Sequence, residues 1–214
     1  SLNAHLEDEV EARTAEVHLH FQTINNINRA QAAFIEDYNP RQSFEIMLSS
    51  LLAMSESEFG YIGEVLHENE RPYVKIYVTS NIAWDEATQK FYEDNIETGL
   101  EFRDLDNLFG QVVLTGKQII CNDPEHDPRS KGVPAGHPDI KRFIGIPIYY
   151  ADKLIGMVAM ANGREQYAET LVEQMSPYLN TCASMILAYQ SRQQAEQNAM
   201  ALSHARSELE PVTN

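Results

Sequence analysis

The hydrophobic positions at the start of the chain follow a heptad pattern. Apolar residues recur with alternating spacings of three and four through residues 2–37, which predicts one long helix with a narrow seam. An isolated helix with so narrow an apolar stripe is poorly stabilised, so the pattern predicts a partner helix. The seam consists of Leu6, Val10, Arg13, Val17, His20, Ile24, Ile27, Gln31 and Phe34, three of which are polar.

A second seam lies in the last helical segment, which we place at residues 167–209 and which becomes polar after Gln190. Its positions are Leu171, Met175, Tyr178, Cys182, Met185 and Tyr189. Long amphipathic helices can pack on their own domain, but at ~1.5 Å per residue both exceed the length that such a domain can cover. We therefore expect a homodimer whose terminal helices form a bundle. The candidate interface residues are Val10, Val17, Ile24, Ile27, Phe34, Met175, Cys182, Met185 and Tyr189.

A second, shorter helix follows the first. Asn39 is a suitable N-cap, Pro40 suits the first helical position, and Gln42 stands where a capping-box partner belongs. Apolar residues within 44–52 then recur at helical spacing, which predicts an amphipathic helix lying on a core.

The middle of the chain has strand-like alternation on either side of a polar turn. Residues 59–66 and 73–79 are predicted to form a hairpin with one buried face. Helical segments are predicted at residues 85–95 and 105–114, followed by a short strand at residues 118–121.

A second hairpin is predicted from residues 143–150 and 154–161, which flank a tight turn. Residues 122–141 lack periodicity and contain four prolines, and a loop of this length inside a compact domain is usually functional or disordered. Strand pairs joined by tight turns predict an α+β fold with a mostly antiparallel sheet and helices packed on it.

The pattern divides the chain into three parts. We expect residues 1–37 to form an N-terminal coiled-coil helix, residues 38–190 the globular domain, and residues 191–214 a helical extension toward a further domain. Because the chain lacks a starting Met and begins within a helix, we expect an excised part of a longer protein.

Charge and composition narrow the partners. The chain carries 32 acidic and 16 basic residues, a net charge of −16, which disfavours nucleic acid and anionic lipid. No apolar run reaches the ~18 residues of a membrane span, and no signal peptide is evident. Two cysteines, Cys121 and Cys182, form no disulfide framework and fit a cytoplasmic protein, which could belong to a membrane-tethered receptor.

The order of elements and several sequence words together resemble the GAF domain family over residues 38–190. The words are Ser57-Glu58-Phe59-Gly60-Tyr61-Ile62-Gly63-Glu64-Val65, Ser80-Asn81-Ile82-Ala83-Trp84-Asp85, Cys121-Asn122-Asp123, the segment 132–148 and Leu154-Ile155-Gly156-Met157-Val158-Ala159-Met160-Ala161-Asn162. The segment 6–17 also resembles the linker between input and output modules of bacterial sensor kinases and cyclases. The resemblance implies a central antiparallel sheet, a helical layer on one face, a small-molecule pocket under loops on the other, and dimerising terminal helices.

Departures from better-characterised branches of that family limit the ligand. Phytochrome-like members attach a bilin through a Cys beside a His, whereas Gly136 precedes His137 here and no Cys is near, so a covalent bilin is disfavoured. Free-methionine sulfoxide reductases of this fold use several loop cysteines that this chain lacks. The lysine-and-aspartate signature of the cyclic-nucleotide branch is not recognisable either. No cofactor is therefore expected, and the ligand stays unidentified.

The candidate ligand contacts are polar or aromatic residues of the predicted pocket loops and first strand. They are Tyr61, Trp84, Asn122, Asp123, Arg129 and His137. Arg129 could pair with a carboxylate or phosphate, and Trp84 could line a cavity. The alternative is structural, since Asp and Asn beside Pro form turns, and Tyr61 and Trp84 could belong to a core.

The sequence offers little support for an enzymatic function. The adjacent pair His126-Asp127 lies in a proline-bounded loop without the distant histidines of metal-dependent phosphohydrolases, so no metal is expected. No Ser or Cys stands in a nucleophile arrangement, and no glycine-rich phosphate loop is present. Three hypotheses remain: a ligand-binding regulatory module, a ligand-free structural relay in a dimer, and an enzyme of the same fold, which is the least supported.

Overall fold

The computed structural model describes residues 2–36, 40–80, 100–133 and 137–209. Its helices are α1 (Leu2–Glu36), α2 (Arg41–Ser55), α3 (Leu108–Thr115) and α4 (Glu169–Leu209). Its strands are β1 (Phe59–Glu68), β2 (Arg71–Thr79), β3 (Glu101–Phe102), β4 (Ile119–Cys121), β5 (Phe143–Tyr150) and β6 (Lys153–Ala161). The predicted helix at residues 85–95 lies outside the described residues.

The described strands form one six-stranded sheet in the order β3-β2-β1-β6-β5-β4, with every neighbouring pair antiparallel. This confirms the predicted α+β class. The two hairpins β1–β2 and β5–β6 meet through β1 and β6, so both central strands are paired on both sides. The two-residue β3 was not predicted, because so short an edge strand has no alternation to detect.

The two faces of the sheet carry separate cores. The helix-side core packs α1, α2 and α4 on the sheet through side chains such as Phe44, Ile62, Val158 and Ile186. The loop-side core packs α3 and the flanking segments on the other face through Val65, Val74, Ile76, Leu105, Leu108, Val112, Val113, Ile119, Cys121, Phe143, Met157 and Ala159. Strand alternation explains the division, since neighbouring residues such as Met157 and Val158 point to opposite faces.

The first hairpin turn is tighter than the sequence suggests. β1 and β2 continue to Glu68 and Arg71, which leaves only Asn69 and Glu70 in the turn, with φ of 49° and 64°. Positive φ at both central residues is the geometry of a type I′ turn, whose twist matches that of the flanking strands. The predicted six-residue loop was therefore too long, because Glu70 adopts a positive φ, which is uncommon for a glutamate and is not indicated by its residue type.

Three helix boundaries also differ from the predictions. α2 begins at Arg41, so Pro40 takes the cap position instead of the first helical position, and no side chain caps the helix; Asn39 lies outside the described residues. α3 begins at Leu108, three residues late, because the Asn107 side chain accepts a hydrogen bond from the Gly110 amide at 2.8 Å. α4 begins at Glu169 because Tyr167 is held outside it, as described below.

The two helical seams have different fates. On α4, Met175, Cys182 and Met185 are 0%, 0% and 3% exposed within a single chain, so they belong to the helix-side core. Their assignment to the dimer interface was wrong, since a side chain buried by its own sheet has no surface to offer a partner. Tyr189 is half-buried and lies against the Tyr77 ring, with 5.4 Å between the ring centroids.

The seam of α1 divides along its length. Its last turns pack on the domain through Ala30, with Ile27 and Phe34 partly buried against the helix-side core. Its first turns do not: Val10, Val17 and Ile24 are 64%, 66% and 57% exposed. Among the described residues, no helix combines the length and the apolar character that a membrane span requires.

Candidate functional site

Tyr61 lies on the loop-side face of β1 in an aromatic and thioether environment. Its ring centroid is 5.8 Å from that of Phe102 and 6.2 Å from that of Phe109. Its hydroxyl donates to the sulfur of Met157 at 3.8 Å, which is a weak acceptor. Burial raises the pKa of Tyr61, so the phenol stays protonated and remains a hydrogen-bond donor at neutral pH.

His137 lies near the same face. Its ring makes an edge contact with Phe59, with 5.6 Å between the ring centroids, and Phe59 precedes Tyr61 by two residues and shares its side of β1. The Nδ1 atom of His137 donates to the Pro138 carbonyl at 2.6 Å, which fixes the orientation of the ring beside Phe59. Tyr61 and His137 are thus the two predicted contacts that the structure places at one surface.

Asn122 is occupied by the backbone of Tyr167. Its Oδ1 accepts from the Tyr167 amide at 2.9 Å, and its Nδ2 donates to the Tyr167 carbonyl at 3.1 Å. The Tyr167 hydroxyl in turn accepts from the Gly163 amide at 2.8 Å and bonds Ser57 at 2.7 Å. We assign Asn122 to this clamp, which fixes the residue just before α4, and no longer to a ligand.

Arg129 is engaged within its own loop. It donates from Nε and from a terminal guanidinium nitrogen to both carboxylate oxygens of Asp127, at 2.9 and 2.6 Å. The Arg129 guanidinium holds the pKa of the Asp127 carboxyl well below its usual range. Since the fork of donors is used by this pair, Arg129 supports the loop and is a weak candidate for binding an anionic ligand.

Asp123 pairs with His126 at the surface. The carboxylate lies 2.9 Å from Nδ1 of His126, and both side chains are mostly exposed. The hydrogen bond and charge of Asp123 raise the pKa of His126. This exposed pair faces solvent, so Asp123 does not join Tyr61 and His137. Trp84, the remaining candidate, lies outside the described residues.

The sequence analysis did not predict the roles of two buried polar residues, Asn162 and Glu64. Asn162 donates to Glu58 at 2.8 Å and to the Asp139 carbonyl at 2.9 Å, and accepts from the Lys141 amide at 2.7 Å. It thereby pins the end of the long loop to β6. Glu64 is 5% exposed on β1 and accepts from Gln190 of α4 at 2.9 Å. An acidic residue inside an apolar strand was the available signal.

The described residues include neither a reactive thiol nor a cluster of metal ligands. Burial raises the pKa of Cys182 to about 12, and burial together with Asp127 raises the pKa of Cys121, so both thiols stay protonated at neutral pH. Within the described ranges, no three His, Cys, Asp or Glu residues lie close enough to hold a metal ion.

Comparison with known proteins settles the family. The family model of the GAF domain matches residues 37–187, more than half of the chain. The chain therefore belongs to the GAF domain family. A methyl sulfide methyltransferase-associated sensor from Methanosarcina acetivorans is 29% identical over 106 residues, which cover 49% of this chain and 11% of that protein.

Solved structures agree on the fold. The GAF domain of an Acinetobacter phosphoenolpyruvate-protein phosphotransferase superposes with a TM-score of 0.59 at 11% identity, covering 81% of this chain and 98% of that one. A free methionine-R-sulfoxide reductase from Neisseria meningitidis, in complex with its substrate, gives 0.56 at 8% identity, covering 79% and 91%. At such identities the likeness shows the fold alone.

Proposed function

We propose that this chain is a cytoplasmic sensory input module that binds a small molecule against the loop-side face of its sheet. It takes no resident cofactor or metal and catalyses no reaction itself. Through its flanking helices it passes the signal to other domains of the same polypeptide, such as a histidine kinase or a cyclic-dinucleotide enzyme. Its negative charge argues against nucleic acid as a partner.

The observation that supports ligand binding is the environment of Tyr61. A phenol hydroxyl beside a thioether forgoes most of the hydrogen-bond energy that a carbonyl, amide or ring nitrogen would provide. Aromatic rings around it offer apolar contact area, and such surfaces with few convergent polar groups are typical of small-molecule sites. A compact aromatic molecule with one acceptor would satisfy the hydroxyl and stack on the rings.

Thermal-shift and native mass spectrometry with indole, adenine and phenol as probes test this proposal. We expect at least one probe to raise the Tm, and Tyr61→Phe to weaken its binding about fivefold to tenfold through the lost hydrogen bond. Tyr150→Phe, on the exposed second hairpin, is the matched control. The chain has a single tryptophan, Trp84, so its fluorescence reports separately on the other predicted contact. Absence of any shift and of any copurified molecule would contradict ligand binding.

The second candidate function, a structural relay in a dimer, is favoured by the exposed stripe of α1. Leu6, Val10, Val17 and Ile24 are all about half or more exposed. A row of apolar side chains on a helix that projects from its domain is stabilised when a second helix covers it. A second copy of the chain supplies a stripe of matching chemistry, and both functions can operate together.

The charges that flank the stripe favour a parallel pair. Val10, Val17 and Ile24 recur every seven residues and therefore occupy one and the same seam position. Glu9 and Glu16 flank the seam on one side. In an antiparallel pair these carboxylates would face the same residues of the partner and repel, whereas in a parallel pair they face other positions.

Disulfide cross-linking tests this arrangement. In a parallel dimer in register, Val10→Cys, Val17→Cys and Ile24→Cys should each cross-link with their own copy, whereas an antiparallel dimer allows at most one of them. Ala12→Cys, off the seam, is the control and should stay reduced. The native cysteines are buried and should not compete. A monomer at micromolar concentration in sedimentation would contradict the dimer.

A further inference from the structure

Glu64 is a buried acid that the ligand site does not use. It lies on the helix-side face of β1, one residue beyond Gly63, and is 5% exposed. Its carboxylate accepts a hydrogen bond from Nε2 of Gln190 at 2.9 Å. Burying a carboxylate is costly unless hydrogen bonds compensate, so the contact between Glu64 of β1 and Gln190 of α4 is important for the stability of this arrangement.

Tyr77 provides a second donor close to the same carboxylate. The register of β1 and β2 shifts so that Ile62 pairs with Val78 and Gly63 with Ile76, which leaves Tyr77 as the extra residue of a bulge. A bulge re-aims a side chain, and here the Tyr77 ring stacks on Phe44 of the helix-side core, with 4.5 Å between the ring centroids.

The Tyr77 hydroxyl is buried and has no well-formed hydrogen bond within the described part of the chain, although Glu64 lies close enough to interact with it. Burial raises the pKa of Tyr77, and the charge of Glu64 together with a weak hydrogen-bond interaction between the two side chains raises it further, so the phenol stays protonated and can donate. A buried hydroxyl without a well-formed hydrogen bond is unfavourable, and a small movement of the carboxylate would relieve it. Glu64 thus accepts a hydrogen bond from Gln190, while the nearby Tyr77 hydroxyl lacks a well-formed one.

This cluster lies where α4 leaves the domain and where β1 passes beneath it. Gln190 stands where α4 leaves the domain, since residues 193–207 are exposed. On the opposite face of β1, three residues before Glu64, is Tyr61. One strand therefore connects the candidate ligand surface with the point at which the outgoing helix is held.

We propose that Glu64, Gln190 and Tyr77 form a two-position joint that sets the exit of α4. In one position the carboxylate holds Gln190, as observed, and in the other it turns to Tyr77 and releases α4. A shift of β1 selects between them. The joint rests on the proposed function only for the stimulus that moves β1, and its own properties are measurable without any ligand.

Amide hydrogen exchange across residues 190–196 of the ligand-free full chain tests the joint. Gln190→Met removes the first position and should speed exchange there by roughly tenfold, the effect of losing one charge-assisted hydrogen bond. Gln190→Lys keeps a donor and should preserve protection. Gln194→Met, one turn further along and bonded to Asn198 of the same helix, is the matched control and should change nothing.

Tyr77→Phe tests the second position by the sign of its effect. Because the hydroxyl has no well-formed hydrogen bond in the observed arrangement, its removal should raise the Tm and slow exchange across residues 190–196. A lower Tm with faster exchange would show that Tyr77 already bonds Glu64, which overturns the two positions. Equal exchange in Gln190→Met and Gln194→Met would overturn the hold on α4. Neither result depends on whether a probe binds at Tyr61.

Discussion

The two terminal helices carry similar heptad seams but use them differently. α4 buries its seam against its own sheet, with Met175, Cys182 and Met185 all buried. α1 buries only its last turns and leaves Val10 and Val17 exposed. A heptad pattern therefore reports that a helix face is to be covered, without saying whether its own domain or a second chain covers it.

Differences within the seams explain the two outcomes. From Leu171 to Tyr189 the seam of α4 is apolar or aromatic throughout, which suits a sheet of aliphatic side chains. The exposed part of the α1 seam contains Arg13 and His20, which would be costly against such a sheet but are tolerated in a coiled coil, where polar seam residues specify register. α4 is also anchored at its start by the Asn122 clamp.

The largest expected effect separates the two seams directly. Met185→Asp places a carboxylate in the helix-side core and should destabilise the domain by about 4 kcal/mol or more, enough to unfold a marginal domain. Ile24→Asp alters an exposed position and should leave the free energy of unfolding of the isolated chain within about 0.5 kcal/mol. Urea unfolding followed by circular dichroism measures both.

Sedimentation of the same variants completes the comparison. Ile24→Asp should convert a dimer into a folded monomer, because two added charges would meet across the seam. If Ile24→Asp instead unfolds the chain, α1 is part of the domain's own core. If Met185→Asp remains folded, the burial of the α4 seam is less important than the structure indicates.

Much of the fold was predictable from the sequence because apolar periodicity reports burial. It located α1, α2, both hairpins and α4, and the joint order of sequence words indicated the GAF family. Turn geometry was less accessible, since the positive φ of Glu70 depends on strand twist. Helix starts depended on side-chain caps such as Asn107, which compete with several equally plausible polar neighbours.

The candidate site was predictable only in part. Tyr61 lies on β1 and His137 contacts Phe59 of the same strand, so these two candidates lie near one face of the sheet. Asn122 and Arg129 were chosen for their hydrogen-bonding capacity, which the fold uses internally on Tyr167 and Asp127. Residue type reveals the capacity to bond but not the partner, since the partner of Asn122 is 45 residues away in sequence.

An intermediate effect is expected at the start of α4. Asn122→Ala removes both hydrogen bonds to the Tyr167 backbone and should cost about 2–3 kcal/mol, because two partly buried backbone groups lose their partners. Urea unfolding measures the cost, and hydrogen exchange should show freer amides around residues 165–170. Asp123→Ala, the exposed neighbour, is the control and should change stability by less than about 0.5 kcal/mol. Equal losses in the two variants would show that the clamp does not anchor α4.

The smallest effect concerns the loop that leads away from Asn122, and its sign depends on pH. Arg129 lowers the pKa of Asp127, so the pair stabilises the fold fully above the ordinary Asp pKa of about 4, and this contribution is lost progressively as pH falls from there toward the lower pKa of the folded state. Because the Arg129 side chain is 40% exposed, we expect Arg129→Gln to cost only about 1 kcal/mol at pH 7. The difference from the unmodified chain should shrink when urea unfolding is repeated at pH 3. Arg164→Gln, which breaks an exposed pair with Glu56, should show little change at either pH. A cost for Arg129→Gln that is the same at both pH values would mean that Arg129 supports the loop through packing and not through its charge. The Asn122 clamp would then anchor α4 without electrostatic help from this pair.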